Sequence, residues 1–345
     1  MRVYGQSLDT AKPADADALR GRFLAGRPMT HGAERRADAG EVAGVISLPD
    51  HIADQSREQW LARFGNLSQL ELTFDDQDKI LWCMMNPAGR PCFTLSLARE
   101  IRTLQRGVRQ LFNEQPAGAD APFRYLVWSS KIAGIFNLGG DLQSFVELIR
   151  NGDREQMLEY ATTCVDTVYF NSVNFEVPLI TVSLVRGDAL GGGFEAALSS
   201  NLVIAERSIK FGLPEILFNL FPGMGAYSLI SRRIGAAHAE RMILSGRIYG
   251  AEELYELGLV DVLADDGKGD EAVYEYIDQF GRRHSAHRAI YNIRRHVNPV
   301  TYDELLGVTR AWVETALALD ESDLRRMERL ARAQDRRIAA LGRNG

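Results

Sequence analysis

Cysteine is scarce in this chain. Three thiols, Cys83, Cys92 and Cys164, occur in 345 residues, an odd number with no C-x-x-C spacing. This pattern excludes a disulfide framework and reads as reduced, buried thiols of a cytoplasmic protein. Six histidines are scattered, none paired with Glu or Cys at ligand spacing, so no metal site is expected. No apolar run approaches about 18 residues, which excludes a transmembrane helix. The first residues lack the apolar stretch of a secretion signal. Their acids, Asp9, Asp15, Asp17, Glu34, Asp38 and Glu41, are too many for an organelle transit peptide. Positive charge is also in short supply. Lys and Arg total 40 against 46 Asp and Glu, and the net charge of −6 sets up no overall basic field for nucleic acid.

What is present is an ordinary globular composition, 46% hydrophobic and 25% charged, in a chain long enough for about two domains. Residues 1–64 read as a flexible extension, rich in Gly, Ala, Asp and Arg, with short helices at Asp15–Leu24 and at Ser56–Phe64, where Ser56 is the N-cap. A catalytic-type core over 65–250 begins with polar–apolar alternation at Gln69–Phe74, a strand signal, and continues with an apolar strand at Lys79–Met85. A Pro- and Gly-rich loop leads to a helix at 94–113 capped by Thr94. Further buried strands are expected at Tyr125–Ser130 and Pro178–Val185. Strands alternating with helices argue an α/β class. From Ala251 to residue 345 the pattern is helical, at Ala251–Leu257, Glu271–Phe280, Tyr302–Leu319 and Ser322–Leu341. The last helix sets Leu324, Met327, Ala331 and Ile338 on one side and Arg325, Arg329, Arg332 and Arg336 largely on others. Its apolar side faces either its own subunit or a second one. Arg282, Arg283, Arg288, Arg294 and Arg295 crowd one stretch, as a solvated face or as a docking rim for an acidic partner.

Two glutamates carry the chemistry. Glu195 ends Leu190-Gly191-Gly192-Gly193-Phe194-Glu195, and Glu215 ends Phe211-Gly212-Leu213-Pro214-Glu215. A glycine triplet lets backbone N–H groups approach a ligand, because no Cβ intervenes. Two carboxyls beside such amides suit a reaction that removes a proton next to a carbonyl and stabilises the enolate. Both lie among apolar neighbours, which raises a carboxyl pKa towards neutrality. Glu176 and Glu206 read as surface or structural. The glycines do not meet G-x-G-x-x-G, and Gly223–Ser228 has no Walker lysine, so neither a dinucleotide loop nor a P-loop is supported. Asp141 reads as the cap of a helix over Leu142–Asn151.

Gly187–Glu195 and Phe211–Glu215 resemble the two signature segments of the crotonase (enoyl-CoA hydratase/isomerase) superfamily. Phe136-Asn137-Leu138-Gly139-Gly140-Asp141-Leu142 is similar to its upstream oxyanion segment. Asn137 and Leu138 stand where that segment usually has two small residues, and Phe194 replaces a smaller one. With Leu217–Ser228, the pattern resembles one branch, the diffusible signal factor (DSF) synthases, which make cis-2-unsaturated fatty acid quorum-sensing signals. The resemblance covers about residues 65–320.

It implies an α/β, ClpP/crotonase-like spiral of ββα units with a C-terminal helical oligomerisation domain, as a homotrimer or hexamer. It implies an oxyanion hole from the Leu138 and Gly192 amides, catalysis by Glu195 and Glu215, and a substrate pocket of Gly139, Leu190, Gly191, Phe221, Met224 and Trp312. It implies a lyase: dehydration, with thioester hydrolysis, of a 3-hydroxyacyl chain whose phosphopantetheine is carried by acyl carrier protein or CoA, with no resident cofactor. The alternatives are a conventional enoyl-CoA hydratase/isomerase of fatty-acid metabolism and a regulatory partner that binds a sensor kinase.

Overall fold

In the computed structural model, which describes Phe64 and residues 67–341, the alternation at the start of the core becomes strand β1 (Leu70–Asp75). Leu70, Leu72 and Phe74 face inward, and Glu71 and Thr73 face solvent. The helices expected at Asp15–Leu24 and over Ser56–Phe64 lie outside the described residues, apart from Phe64 itself, a fully buried turn residue. Strand β2 (Ile80–Met85) is buried along its whole length and pairs antiparallel with β1. Helix α1 (Leu95–Asn113) starts where the Leu97 N–H donates to Thr94 Oγ1 at 3.1 Å, as its cap predicts.

The chain then alternates between two sheets. One is ordered β1-β2-β3-β5-β7-β10, taking β3 (Tyr125–Ser130), β5 (Ile180–Val185), β7 (Leu202–Glu206) and β10 (Val262–Ala264). The other is ordered β4-β6-β8-β9, from β4 (Gly134–Asn137), β6 (Gly187–Leu190), β8 (Lys210–Gly212) and β9 (Ile248–Gly250). The successive pairs β3–β4, β5–β6 and β7–β8 each give one strand to each sheet, parallel to the strand before. Helices α2 (Leu142–Asn151) and α3 (Arg154–Ser172) follow the first pair and α4 (Gly192–Leu198) the second. A 3-10 turn (Pro214–Phe218), α5 (Ala226–Ile234) and α6 (Ala236–Ser245) follow the third. This is the expected spiral of ββα units. The repeat is invisible in the letters because each unit meets different neighbours and carries different side chains.

Residue 250 is not where the sheet ends. After α7 (Ala251–Leu257), β10 pairs in parallel with β7, a strand of three residues that is too short to show a period. Helix α8 (Gly269–Phe280) covers one face of the large sheet, packing Val273 and Ile277 among Ile80, Val127, Val182 and Ile204. With the main core on the other face, the central strands are buried on both sides.

Helices α9 (His284–Val297), α10 (Tyr302–Leu317) and α11 (Glu321–Leu341) complete the described residues. Helix α11 buries Leu324, Met327 and Ala331 against its own subunit, on α2 and the 3-10 turn, leaving Arg325, Arg329, Arg332 and Arg336 exposed. Its apolar side is therefore already covered. An uncovered apolar stripe lies on α9, where Ile290, Ile293 and Val297 are exposed and no residue is buried, and Leu217, Leu244 and Ile248 are exposed elsewhere. Among the described residues, no helix is long and apolar enough to cross a membrane.

Candidate active site

The parallel pairing of β4 with β6, with Asn137 opposite Ala189, brings their C-terminal ends side by side. The segments 137–140 and 190–193 then pass so closely that side chains are excluded. A Cβ on Gly193 would lie 2.2 Å from Asn137 O, and one on Gly139 would lie 2.8 Å from Leu190 O and 3.1 Å from Gly192 N. Gly139 also has φ +90°, and Gly191 has φ +51°. These contacts give the glycines a packing reason as well as a chemical one.

Helix α4 starts at Gly192, so Glu195 sits in its first turn, buried to 1% exposure. Its Oε1 accepts from the N–H groups of Met224 and Ala226, each at 2.8 Å, at the N-terminal end of α5. Burial pushes its pKa up to about 7, and backbone N–H donors from Ala226, Met224 and Gly225 pull against that rise. Glu215 enters from the 3-10 turn, with Pro214 ahead of it setting the turn. Its carboxyl lies against Gly191, where a Cβ would stand 2.6 Å from Oε1. Its Oε2 is buried with no hydrogen-bond partner. Burial and then the Glu195 charge raise its pKa to about 8. Two carboxyls that repel in one buried site share their protons across the neutral range.

Between them is a cavity of about 50 Å³, lined by Leu138, Gly139, Gly191, Gly192, Met224 and Trp312 as expected. Trp312 is locked over it, since a Cβ on Gly223 would lie 2.6 Å from its ring and Phe145 packs edge-on at 5.2 Å. Two expected lining residues are not brought in. Leu190 closes β6 with its carbonyl, not its side chain, against Gly139. Phe221 packs against the main core instead, because Asn219 in the left-handed region (φ +61°) ends the 3-10 turn and leaves Phe218 and Leu220 facing the cavity.

Sequence reasoning missed the walls given by α2, α3 and α11, chiefly Phe145, Tyr160, Cys164, Leu330 and Gln334. The apolar spacing Met157, Tyr160, Ala161, Cys164, Val165, Val168 marks α3 as a helix, but nothing local says which cavity it meets. Tyr160 donates to Phe93 O at 2.5 Å, and burial pushes the Cys164 thiol up to about 12, so it is no nucleophile.

The expected oxyanion pair is only half open. Gly192 begins a helix, so its N–H has no intrahelical acceptor. The Leu138 N–H, however, donates to Pro91 O at 2.8 Å. Its segment is pinned twice more, by Gly139 N–H to Asn137 Oδ1 at 2.8 Å and by Gln334 Nε2 to Leu138 O at 3.2 Å. Pro91 O thus occupies the Leu138 amide that the resemblance assigned to the oxyanion hole. Asp141 stands at the N-cap of α2 but makes no cap hydrogen bond. Ser144 Oγ donates to it at 2.7 Å, and Arg90 pairs with it at 3.4 Å.

Comparison with known proteins adds to this geometry. The family model described as enoyl-CoA hydratase/isomerase matches residues 116–293. "Probable enoyl-CoA hydratase echA17" from Mycobacterium avium is 34% identical over 139 residues, 40% of this chain and 51% of that protein. The chain thus spans about half the length of the curated relatives it matches. Enoyl-CoA hydratase from Bacillus halodurans superposes with a TM-score of 0.62 at 20% identity, covering 76% of this chain and 99% of that one. Human mitochondrial delta3-delta2-enoyl-CoA isomerase superposes with a TM-score of 0.63 at 17% identity, covering 78% and 99%. At such identities the structural likeness speaks for the fold alone.

Proposed function

This chain belongs to the enoyl-CoA hydratase/isomerase family, and from that premise we propose that it dehydrates a 3-hydroxyacyl thioester through an enolate. One observation carries the reading: Glu195, fully buried, and Glu215, half-buried with its Oε2 enclosed, line one cavity with pKa values raised towards neutrality. Dehydration needs one carboxylate to take the Cα proton and one carboxylic acid to protonate the departing 3-hydroxyl. A mutually repelling pair near neutral pH supplies one of each. The thioester oxygen, negative in the enolate, is received by the Gly192 N–H and by the Leu138 N–H once Pro91 O is displaced.

The finer reading is synthesis of a cis-2-unsaturated fatty acid signal from a chain on acyl carrier protein, with hydrolysis to the free acid. It rests on the resemblance of Leu217–Ser228, on Leu138 and Phe194 at positions usually held by smaller residues, and on the narrow apolar cavity under Trp312. The test is to supply 3-hydroxyacyl chains on carrier protein and on CoA and to identify products by mass spectrometry. Free cis-2-enoic acid from the carrier substrate is expected. An intact trans-2-enoyl-CoA ester, with no acid released, would replace the finer reading with a conventional hydratase. No turnover of either substrate would overturn the dehydratase reading itself.

A further inference from the structure

We propose that the cleft between α9 and the turn joining α3 to β5 is a second binding site, for a small organic phosphate. The cleft holds about 700 Å³, within the range of about 300–1,000 Å³ typical of ligand pockets, and shares no lining residue with the glutamate cavity. Its lining is strongly basic, with Arg232, Arg233, Arg288, Arg294, Arg295 and His296. Two of these cations are answered, Arg232 by Glu304 at 2.7 Å and Arg233 by Asp261 at 3.2 Å. The acid in the lining, Glu176, is taken by Arg109 at 2.6 Å. Among the described residues, Arg288, Arg294 and Arg295 have no carboxylate at ion-pair distance.

Their other contacts are weak or neutral. Arg294 reaches Asn201 O at 3.5 Å and lies 5.1 Å over the Tyr291 ring, and Arg295 donates to Asn292 Oδ1. Arg294 reaches the solvent in the cleft, yet the protein around it desolvates it, and with the Arg233 charge this lowers its pKa. Burial lowers that of Arg295, against a smaller opposing effect of Glu176. Asp261 and Glu176, beyond ion-pair distance, offset this only in part, so these crowded cations are short of counter-charge, which an anion joining them would supply.

Helical spacing shows that the arrangement is directional. Arg288, Asn292 and Arg295 repeat at four and three residues and face the cleft, whereas Ile290, Ile293 and Val297 form the separate exposed stripe. The cleft is concave, which suits a small ligand better than a flat docking rim for a protein. Guanidinium forks match phosphoryl oxygens in pairs. Val173, Val177 and Leu198 offer apolar wall to an organic body.

The test is isothermal titration of the full chain with pyrophosphate and with ADP at fixed ionic strength. Saturable binding is expected, with ADP the tighter because its organic body meets the apolar wall. Arg294→Gln with Arg295→Gln should weaken it by about tenfold or more, as loss of charge-assisted hydrogen bonds does. Glu215→Gln should bind as the unmodified protein does. Circular dichroism checks the double variant, and Arg288→Gln alone serves if that variant fails to fold. Absence of saturable binding, or binding unchanged in the arginine variants, would overturn the site. Loss of binding in Glu215→Gln would move the ligand to the catalytic cavity. A fall in mass by light scattering in the arginine variants, without anion binding by the unmodified protein, would assign the cleft to a second copy.

Discussion

Glu215→Gln separates the catalytic from the structural consequences of burying a carboxyl. The ordinary pKa of 4.5 rises to about 8, first through burial and then through the Glu195 charge. A raised carboxyl pKa means the folded state holds its proton more tightly than the unfolded chain. Stability is therefore intact below the unfolded pKa, declines as pH rises between about 4.5 and 8, and stays lowered above. Each unit corresponds to about 1.4 kcal/mol, so full burial would cost on the order of 5 kcal/mol at alkaline pH. Glu215 is half-buried, although its Oε2 is not, and solvent screening reduces the cost to roughly 2 kcal/mol. The near-isosteric amide stays neutral and avoids that cost. Thermal unfolding should then show the variant nearly equal to the unmodified protein near pH 4 and more stable by about 4 °C near pH 9. Turnover should fall by about 10²–10⁴-fold at every pH. A stability difference independent of pH would refute the claim that burial destabilises this carboxylate. Near-normal turnover in the folded variant would remove Glu215 from the mechanism.

Other outcomes follow from the same contacts. Glu195→Gln keeps an oxygen for the Met224 and Ala226 amides but loses its charge. Turnover should drop by about 10²–10⁴-fold, and Glu215, followed by NMR titration, should shift down in pKa. An unmoved Glu215 would mean that the two do not interact. Gly193→Ala places a Cβ 2.2 Å from Asn137 O and should cost about 1–3 kcal/mol in denaturant unfolding, whereas Gly250→Ala, with open space, should change little. Trp312→Ala should cost about 3–5 kcal/mol and admit bulkier acyl chains, read from product profiles across substrate lengths. If the protein is a trimer or hexamer, the exposed stripe of α9 is one apolar surface available to build it, beside the exposed Leu217, Leu244 and Ile248. Ile293→Asp with Val297→Asp should then lower the mass seen by light scattering, and an unchanged mass would place the contact elsewhere.

The paired glutamates and the glycine turn were legible in the sequence because their demands are local. Gly139 and Gly193 tolerate no Cβ where two strand ends meet, Gly191 needs a left-handed backbone, and Glu195 lies one helical turn beyond it, so short motifs record the site directly. Strand β1 and the Thr94 cap were legible for a similar reason, since alternation and capping act over a few residues. Tertiary structure decided everything that depends on distant partners. It covered the cavity with Phe145 and Tyr160 from the consecutive helices α2 and α3 and with Leu330 from α11, far along the chain. It laid the half-buried Phe221 against the core, set Pro91 O on the Leu138 amide, and added β10 beyond residue 250. It also folded α11 onto its own subunit and left α9 with its apolar stripe bare. Local pattern says which face of a helix is apolar. Only the packed chain says what that face meets, because burial is a property of the neighbours rather than of the residue.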